Sequence, residues 1–333
     1  LGLKGGLLEG QILLNLDTED DDELTIGCAG GVDLTASGAY PEEETPAHVK
    51  CVEITINGLS GGHSGMDIIK GLGNANKLMN RLLLALSNDA GIYINEIQGG
   101  GLRNAIPRES VAKIAVPNSE WEVFEGLIKE FEEEIKDEFS FTDPNLVVTV
   151  KPIDAFETVL EEDFQAYLLR AIYAAPNGIY RLTPTMLNMV QTSNNIAQVK
   201  VVDGEYSILC LTRSSVESEK WDLAEALTSA FELMGAQVEV GGSYPGWTPR
   251  PHSDIVNLMA DLYREKFNGE PKVQACHAGL ECGILGTNYP EMEMISFGPN
   301  IRGAHSPDEK VQISSVQKYW DYFLEALKRI PEA

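Results

Sequence analysis

Residues 292–309 read MEMISFGPNIRGAHSPDE, and this stretch decides how the rest of the sequence is interpreted. The apolar run Met292–Gly298 predicts a buried strand, and the amphipathic segment Ile313–Ile330 predicts the helix that follows it. Between them, His305 lies in a loop rich in glycine and proline, with acidic residues just beyond it. Such a loop, at the end of a buried strand, is a usual place for a metal ligand in an open α/β sheet. Taken alone, the segment still favours an ordinary loop histidine that is hydrogen-bonded to the backbone.

A second buried strand ends in an acidic residue near the start of the sequence. Gln11–Asp17, QILLNLD, is a continuous apolar run that is typical of a buried parallel strand. Six of the seven residues Asp17–Glu23 are acidic, and most of them must be solvated. Asp17 is the exception, because the strand brings it to the edge of the sheet at which ligands bind. Asp17 and His305 are therefore candidate ligands, and a carboxylate with an imidazole suits zinc or manganese rather than calcium or magnesium.

The sequence between these two strands follows a different pattern. Residues 31–242 predict two rounds of strands and helices without a buried parallel run, which favours an α+β domain with a largely antiparallel sheet. Within it, Asp203-Gly204 predicts the turn of a hairpin. Pro245–Pro251, PGWTPRP, is rich in structure-breaking residues, as expected of a crossing between domains. We therefore predict an α/β domain formed by residues 1–30 and 243–333, interrupted by the α+β domain.

The composition narrows the class of protein. The 333 residues include 51 acidic and 25 basic side chains, a formal net charge of −26. Such a surface repels phosphate backbones, which argues against nucleic-acid binding. The five cysteines include no C-x-x-C pair, which argues against a disulfide framework and fits a reducing cytoplasm. No apolar run approaches the length that spans a bilayer, so we expect no membrane partner, and the first residues do not resemble a signal peptide.

Further candidate residues lie in glycine-rich loops and at strand ends. In GLSGGHSG, glycines on both sides of His63 predict a sharp turn and an exposed imidazole. In GGGLRNAIP, Asn104 either donates a side-chain N–H to an oxyanion or serves as a turn residue. Arg213 ends the strand ILCLTR and suits either a substrate carboxylate or a surface ion pair. In CHAGLECG, His277 and Glu281 are either site residues or part of a helix start, with the histidine packed against the next strand.

Motifs of other enzyme classes are absent from the sequence, and the metal site is incomplete. There is no G-x-S-x-G, no P-loop and no G-x-G-x-x-G after a strand, which argues against serine hydrolases, NTPases and dinucleotide-dependent oxidoreductases. There is also no H-E-x-x-H. Because a metal site needs three or four ligands, any ligands beyond Asp17 and His305 would lie upstream of Leu1 or on another chain.

In this order, the motifs ILLNLDTED, GLSGGHSG, GNANKLMNRLL, GGGLRNAIP, CHAGLECG and GPNIRGAHSPDE resemble those of the bacterial aminoacyl-histidine (Xaa-His) dipeptidases. These enzymes belong with the co-catalytic zinc dipeptidases and carboxypeptidases, which include the carnosinases. The resemblance extends from about Leu1 to the C-terminus. GGHSG is shared across that wider group, whereas GNANKLMNRLL, GLRNAIP and HAGLECG are more specific to the Xaa-His branch.

The resemblance implies a catalytic α/β domain that holds two zinc ions, with manganese or cobalt as alternatives, and a lid domain that forms a homodimer contact. It implies that Asp17 is a terminal ligand of one zinc ion and His305 of the other. His63 would be the lid histidine that reaches the substrate, commonly across the dimer, and stabilises the tetrahedral intermediate. Asn104 and Arg213 would contact the substrate, Arg213 at its C-terminal carboxylate.

The activity implied by the resemblance is hydrolysis of dipeptides by a metal-activated water in the cytoplasm. The H-x-D motif, the bridging aspartate and the Glu-Glu pair of that family lie upstream of the LNLD strand and are not in this sequence. We therefore expect the sequence to correspond to the C-terminal part of such an enzyme. Two alternatives remain, namely a related metal-dependent amidohydrolase or deacylase, and a non-catalytic dimerisation fragment.

Overall fold

The computed structural model describes residues 4–186, 189–302 and 308–330. Strands and helices alternate along these segments. The strands are β1 (Ile12–Asn15), β2 (Glu23–Cys28), β3 (Gly30–Ala39), β4 (Glu42–Glu44), β5 (Val49–Asn57), β6 (Gly62–His63), β7 (Tyr93–Gly100), β8 (Ala105–Ile106), β9 (Ser110–Pro117), β10 (Val147–Pro152), β11 (Thr158–Leu160), β12 (Gly178–Leu182), β13 (Val190–Val202), β14 (Glu205–Ser214), β15 (Gln237–Tyr244), β16 (Lys272–Cys276), β17 (Glu293–Ser296), β18 (Ile301–Arg302) and β19 (Lys310–Val311). The α-helices are α1 (Ala75–Asp89), α2 (Trp121–Glu138), α3 (Glu162–Ala174), α4 (Glu217–Glu232), α5 (Asp254–Phe267), α6 (Glu281–Asn288) and α7 (Ile313–Arg329).

A small sheet of four strands, in the order β1-β17-β2-β16, contains the two apolar runs singled out in the sequence. β1 pairs with β17 in parallel, and β2 pairs with β16 in parallel. Helices α5 and α7 pack on this sheet with their apolar faces. Met259 of α5 and Tyr322 of α7 are buried together with Ile295 of β17 and Phe297, which follows β17. The sequence patterns predicted β1 and β17 but missed β2, whose Glu23 and Gly27 break up the apolar run.

A large sheet of nine strands takes up the middle of the chain, and all its pairings are antiparallel. Its order is β10-β5-β9-β7-β13-β14-β3-β15, with β12 paired to β13. Helices α1, α2 and α4 pack directly on the sheet, and α3 packs against α1 and α4. The β13–β14 hairpin turns at Asp203 and Gly204, whose φ angles of 53° and 75° are those that a tight two-residue turn requires. The antiparallel sheet and the hairpin turn are thus as predicted.

The two sheets are joined at a close crossing of two chain segments. The backbone N–H of Cys28 donates to the carbonyl of Trp247 at 2.9 Å, and the N–H of Trp247 donates back to Cys28 at 2.8 Å. A Cβ atom at Gly30 would lie 2.4 Å from the backbone N of Gly246. Only glycine at residue 30 permits this approach. The crossing therefore depends on direct packing of the backbone at Gly30 against the backbone at Gly246.

Among the described residues, no helix combines the length and the apolar character that crossing a membrane would require.

The tight crossing predicts that Gly30→Ala destabilises the protein. An added methyl group would force the two backbones apart, and overpacking of this kind costs about 2 kcal/mol or more of unfolding free energy. Urea unfolding followed by circular dichroism measures the change. Gly241→Ala is the control, because a Cβ there meets nothing within 4 Å. Equal unfolding midpoints for the Gly30 variant and the wild type would show that the crossing is not tightly packed.

Candidate active site

The C-terminal ends of β1 and β17 form one edge of the small sheet. Asn15 pairs with Ser296 across the two strands. Its side-chain amide donates to Oγ of Ser296 at 3.2 Å and to a carboxylate oxygen of Glu281 at 3.4 Å. Asp17 follows two residues after Asn15 and its side chain is exposed. The strand thus carries Asp17 to the sheet edge, with Glu281 on the neighbouring helix start.

The loop that leads toward His305 runs along the loop that follows Asp17. Gly298 packs so closely on Thr18 that a Cβ atom would lie 2.3 Å from the Thr18 carbonyl oxygen. The backbone N–H of Ile301 donates to the carbonyl of Glu19 at 2.9 Å, and Arg302 donates to the same carbonyl at 2.8 Å. His305 itself lies outside the described residues. The segment that precedes it, residues 298–302, packs beside residues 18–20.

The described side chains do not form a complete metal centre. Within residues 4–186, 189–302 and 308–330, no three histidine, cysteine, aspartate or glutamate side chains come together in a group that could hold a metal ion. The carboxylate of Asp17 is nevertheless a donor of the kind that zinc accepts. The part of the chain that the structure describes therefore fits one ligand of a metal ion and not its full coordination.

His63 is held in one tautomer by the turn that follows it. The backbone N–H groups of Gly65 and Met66 both donate to its Nδ1 at 3.1 Å, so that in the neutral ring the proton is on Nε2. Burial lowers the pKa of His63, and the positive charge of Arg213 lowers it further. The imidazole is half-buried rather than exposed as predicted, because the turn that follows it folds back over the ring. The result is a neutral histidine whose Nε2–H is a hydrogen-bond donor.

The turn of residues 62–67, called here the His63 turn, contacts both the neighbouring loop and the small sheet. The N–H of Ser64 donates to the carbonyl of Asn104 at 2.8 Å, so that Asn104, which is exposed, lies beside the turn. A Cβ at Gly65 would lie 2.2 Å from the carbonyl oxygen of His277. Glycine at this position thus lets the turn approach the end of β16.

Arg213 is buried on the large sheet without a carboxylate partner among the described residues. Its side chain is only 4% exposed, and one terminal nitrogen donates to the hydroxyl of Tyr244 at 2.8 Å. Its buried Nε has no hydrogen-bond partner in the part of the chain that the structure describes. The alternative of a surface ion pair is therefore wrong. A buried charge is costly unless an opposite charge compensates it, so this guanidinium is suited to an anion that comes from outside.

His277 connects the small sheet to the large sheet. Its Nε2 lies 2.8 Å from Oγ of Ser193 on β13. The side chain is 8% exposed, and burial, followed by the charge of Arg213, lowers its pKa to about 3. From the sequence, one alternative was that His277 packs against the next strand along the chain. That alternative is wrong, because the ring binds a strand of the other sheet.

Two residues that contact His277 and Arg213, namely Ser193 and Tyr244, were not found from the sequence. Ser193 lies 84 positions from His277 along the chain, and Tyr244 lies 31 positions from Arg213. No local motif marks either residue. Only the register of the large sheet brings both of them beside Arg213.

Comparisons with known proteins identify the family and the fold. A family model described as the peptidase dimerisation domain matches residues 54–143. The chain is 40% identical, over 330 residues, to the cytosol non-specific dipeptidase of Escherichia coli (strain K12); the match covers 99% of this chain and 68% of that protein. The crystal structure of the aminoacylhistidine dipeptidase from Vibrio alginolyticus matches with a TM-score of 0.95 and 38% identity, over 100% of this chain and 68% of that one.

The fold and these similarities define a peptidase built from an α/β part and an antiparallel part. More narrowly, the chain belongs to the cytosol non-specific dipeptidase family of M20 peptidases. The family resemblance and the fold class predicted from the sequence are thereby confirmed. Membership of a metallopeptidase family implies dependence on a divalent metal ion.

The low pKa of His277 predicts a pH-dependent contribution to stability. Its pKa is about 3 in the folded protein against an ordinary value of 6.5, so between these values the unfolded chain binds a proton that the folded protein does not. The free energy of unfolding therefore decreases as the pH falls through this window, by up to about 1.4 kcal/mol per pH unit from this residue. Urea titrations of wild type and His277→Asn between pH 5 and pH 7 measure the difference.

The variant should show the flatter dependence on pH in that window. At about pH 8 the imidazole is neutral in both states, so the slopes of the two proteins should coincide there. Slopes that are equal throughout the range would contradict the burial of a neutral imidazole at residue 277.

Proposed function

We propose that the protein is a cytoplasmic dipeptidase that hydrolyses dipeptides, those of the Xaa-His type included, with two bound zinc ions. We further propose that residues 1–30 and 243–333 form the catalytic unit, while residues 31–242 form a lid through which two copies associate. The observation that carries the proposal is the buried Arg213, which has no carboxylate partner among the described residues and lies near the neutral His63. The similarity to two dipeptidases supports it.

Arg213 is proposed to bind the C-terminal carboxylate of the substrate. A guanidinium offers several donors in one plane and matches a carboxylate well. Its burial strengthens the attraction, because the surrounding dielectric is lower than that of water. Since the anion has to reach the end of β14, an enzyme that depends on this contact would act at the end of a short peptide.

His63 is proposed to stabilise the tetrahedral intermediate. Its Nε2–H is available as a donor because the backbone of the His63 turn occupies Nδ1. A fixed donor aimed at a developing oxyanion stabilises the transition state more than the ground state. Asn104, on the loop bound to the same turn, is proposed to contact the substrate next to His63.

Asp17 and His305 are proposed to be terminal ligands of the two metal ions. Zinc, when bound, supplies polarisation of the scissile carbonyl and a water acidified toward neutral pH. The same ligand types accept manganese or cobalt. The role of Asp17 rests on its place at the carboxyl end of β1, beside the carboxyl end of β17.

Substrate profiling with metal analysis tests the proposed function. The zinc-loaded protein, purified from its complete reading frame, should hydrolyse β-Ala-His and other dipeptides, and should leave N-acetyl amino acids intact. Asp17→Asn and His305→Ala should each lower the zinc content, measured by mass spectrometry of the metal, and abolish hydrolysis. A metal-loaded protein that cleaves only the acetylated amino acids would be a deacylase, and one that cleaves neither class would refute catalysis.

Removal of the His63 imidazole should reduce turnover. Loss of one oxyanion donor lowers kcat by about 100-fold to 1,000-fold, so His63→Ala should lose activity on this scale while it retains its zinc. The exposed His252 provides the matched control, and His252→Ala should retain wild-type kcat. Steady-state kinetics on β-Ala-His measures both variants. A His63 variant with wild-type kcat would exclude the proposed role.

A further inference from the structure

We propose that Tyr244 is a positioning residue that fixes the guanidinium of Arg213 for the carboxylate of the substrate. This inference rests on the proposed role of Arg213. The hydroxyl of Tyr244 accepts a hydrogen bond from a terminal nitrogen of Arg213 at 2.8 Å. It is the polar contact that the structure gives to this side chain within the described residues.

The register of the large sheet places the two side chains on one face. Arg213 on β14 is opposite Gly31 on β3, and Gly31 is also opposite Tyr244 on β15. Residues that are directly opposite each other in antiparallel strands project to the same side of a sheet. Tyr244 and Arg213 are therefore second neighbours in one row, with a glycine between them.

Gly31 leaves the space through which the tyrosine ring reaches the arginine. A Cβ atom at residue 31 would lie 2.6 Å from both Cζ and the hydroxyl oxygen of Tyr244, closer than atoms can approach. The ring thus lies across the strand at the position that a side chain at residue 31 would occupy. Any other residue there would push the phenol away from Arg213.

Tyr244 is itself held from the opposite side. The ammonium group of Lys220, whose side chain is fully buried, donates to the carbonyl of Tyr244 and to the hydroxyl of Ser243, each at 3.0 Å. The ring also lies against Gly279, where a Cβ would be 3.1 Å from Cε2. Backbone and ring are therefore both fixed, which limits the orientations open to the arginine that the phenol contacts.

A phenol suits this role because it is neutral. A carboxylate partner would orient Arg213 but would also neutralise its charge and compete with the carboxylate of the substrate. The tyrosine hydroxyl accepts one N–H and leaves the positive charge uncompensated. Orientation without neutralisation is what a site for an external anion requires.

Tyr244→Phe tests the inference, because it keeps the ring over Gly31 and removes only the oxygen. With the zinc-loaded protein, KM for a dipeptide with a free carboxylate should increase about tenfold, the scale of a hydrogen bond to a charged group, while kcat changes little. The carboxamide of the same dipeptide, which offers no anion to Arg213, should show the same kcat/KM with both proteins. Gly31→Ala, which displaces the phenol, should reproduce this pattern.

Tyr206→Phe is the matched control. Tyr206 is also a buried tyrosine on the large sheet whose ring lies over a glycine, since a Cβ at Gly38 would be 2.7 Å from its hydroxyl oxygen. It lies seven residues before Arg213, and the described hydrogen bond of the Arg213 side chain goes to Tyr244 instead. Removal of its oxygen should therefore leave KM unchanged for both substrates.

The outcomes separate this inference from the proposed function. A wild-type enzyme that prefers the free dipeptide, together with a Tyr244→Phe variant that retains this preference in full, overturns the positioning role alone. Equal losses on dipeptide and carboxamide also overturn it, because they indicate only a general structural defect. A wild-type protein that does not distinguish the two substrates overturns the carboxylate role of Arg213, and this inference with it.

Discussion

The arrangement of the whole molecule depends on the backbone crossing between the two sheets. Two backbone hydrogen bonds between Cys28 and Trp247 join the segment that leaves the small sheet to the segment that returns from the large sheet. Because Gly30 has no side chain, the two backbones can come into contact. Because β2 and β3 are separated by a single residue, the small sheet and the large sheet have little freedom to move apart at this point. The crossing thus places the strand ends of one sheet next to those of the other.

The same closeness determines the electrostatics of the site. The charge of Arg213 on the large sheet lowers the pKa of His63 and that of His277, in each case after the larger effect of burial. Both imidazoles are therefore kept neutral beside a guanidinium that has no carboxylate partner in the described ranges. A guanidinium without a described carboxylate partner, beside a neutral donor, is suited to a substrate that brings its own anion.

Periodicity and turn chemistry predicted much of the fold. β17 was predicted from an apolar run and α7 from an amphipathic one, because burial on one side or on both leaves a local pattern in the sequence. The β13–β14 hairpin was predicted from Asp203-Gly204, since few residue pairs adopt positive φ angles at low cost. β2 was missed because its burial depends on neighbouring strands that lie far away in the sequence, and because Glu23, Thr25 and Gly27 interrupt its apolar residues.

The sequence by itself determined the family and the two kinds of sheet, and it singled out Asp17, His63 and Arg213 as candidate site residues. These properties are encoded locally, in motifs and in the spacing of apolar residues. Only the tertiary structure decided that Arg213 is buried beside Tyr244 and that His277 binds Ser193. Such contacts depend on strand register and on the crossing of the two sheets. Neither of these can be predicted from any short stretch of the sequence.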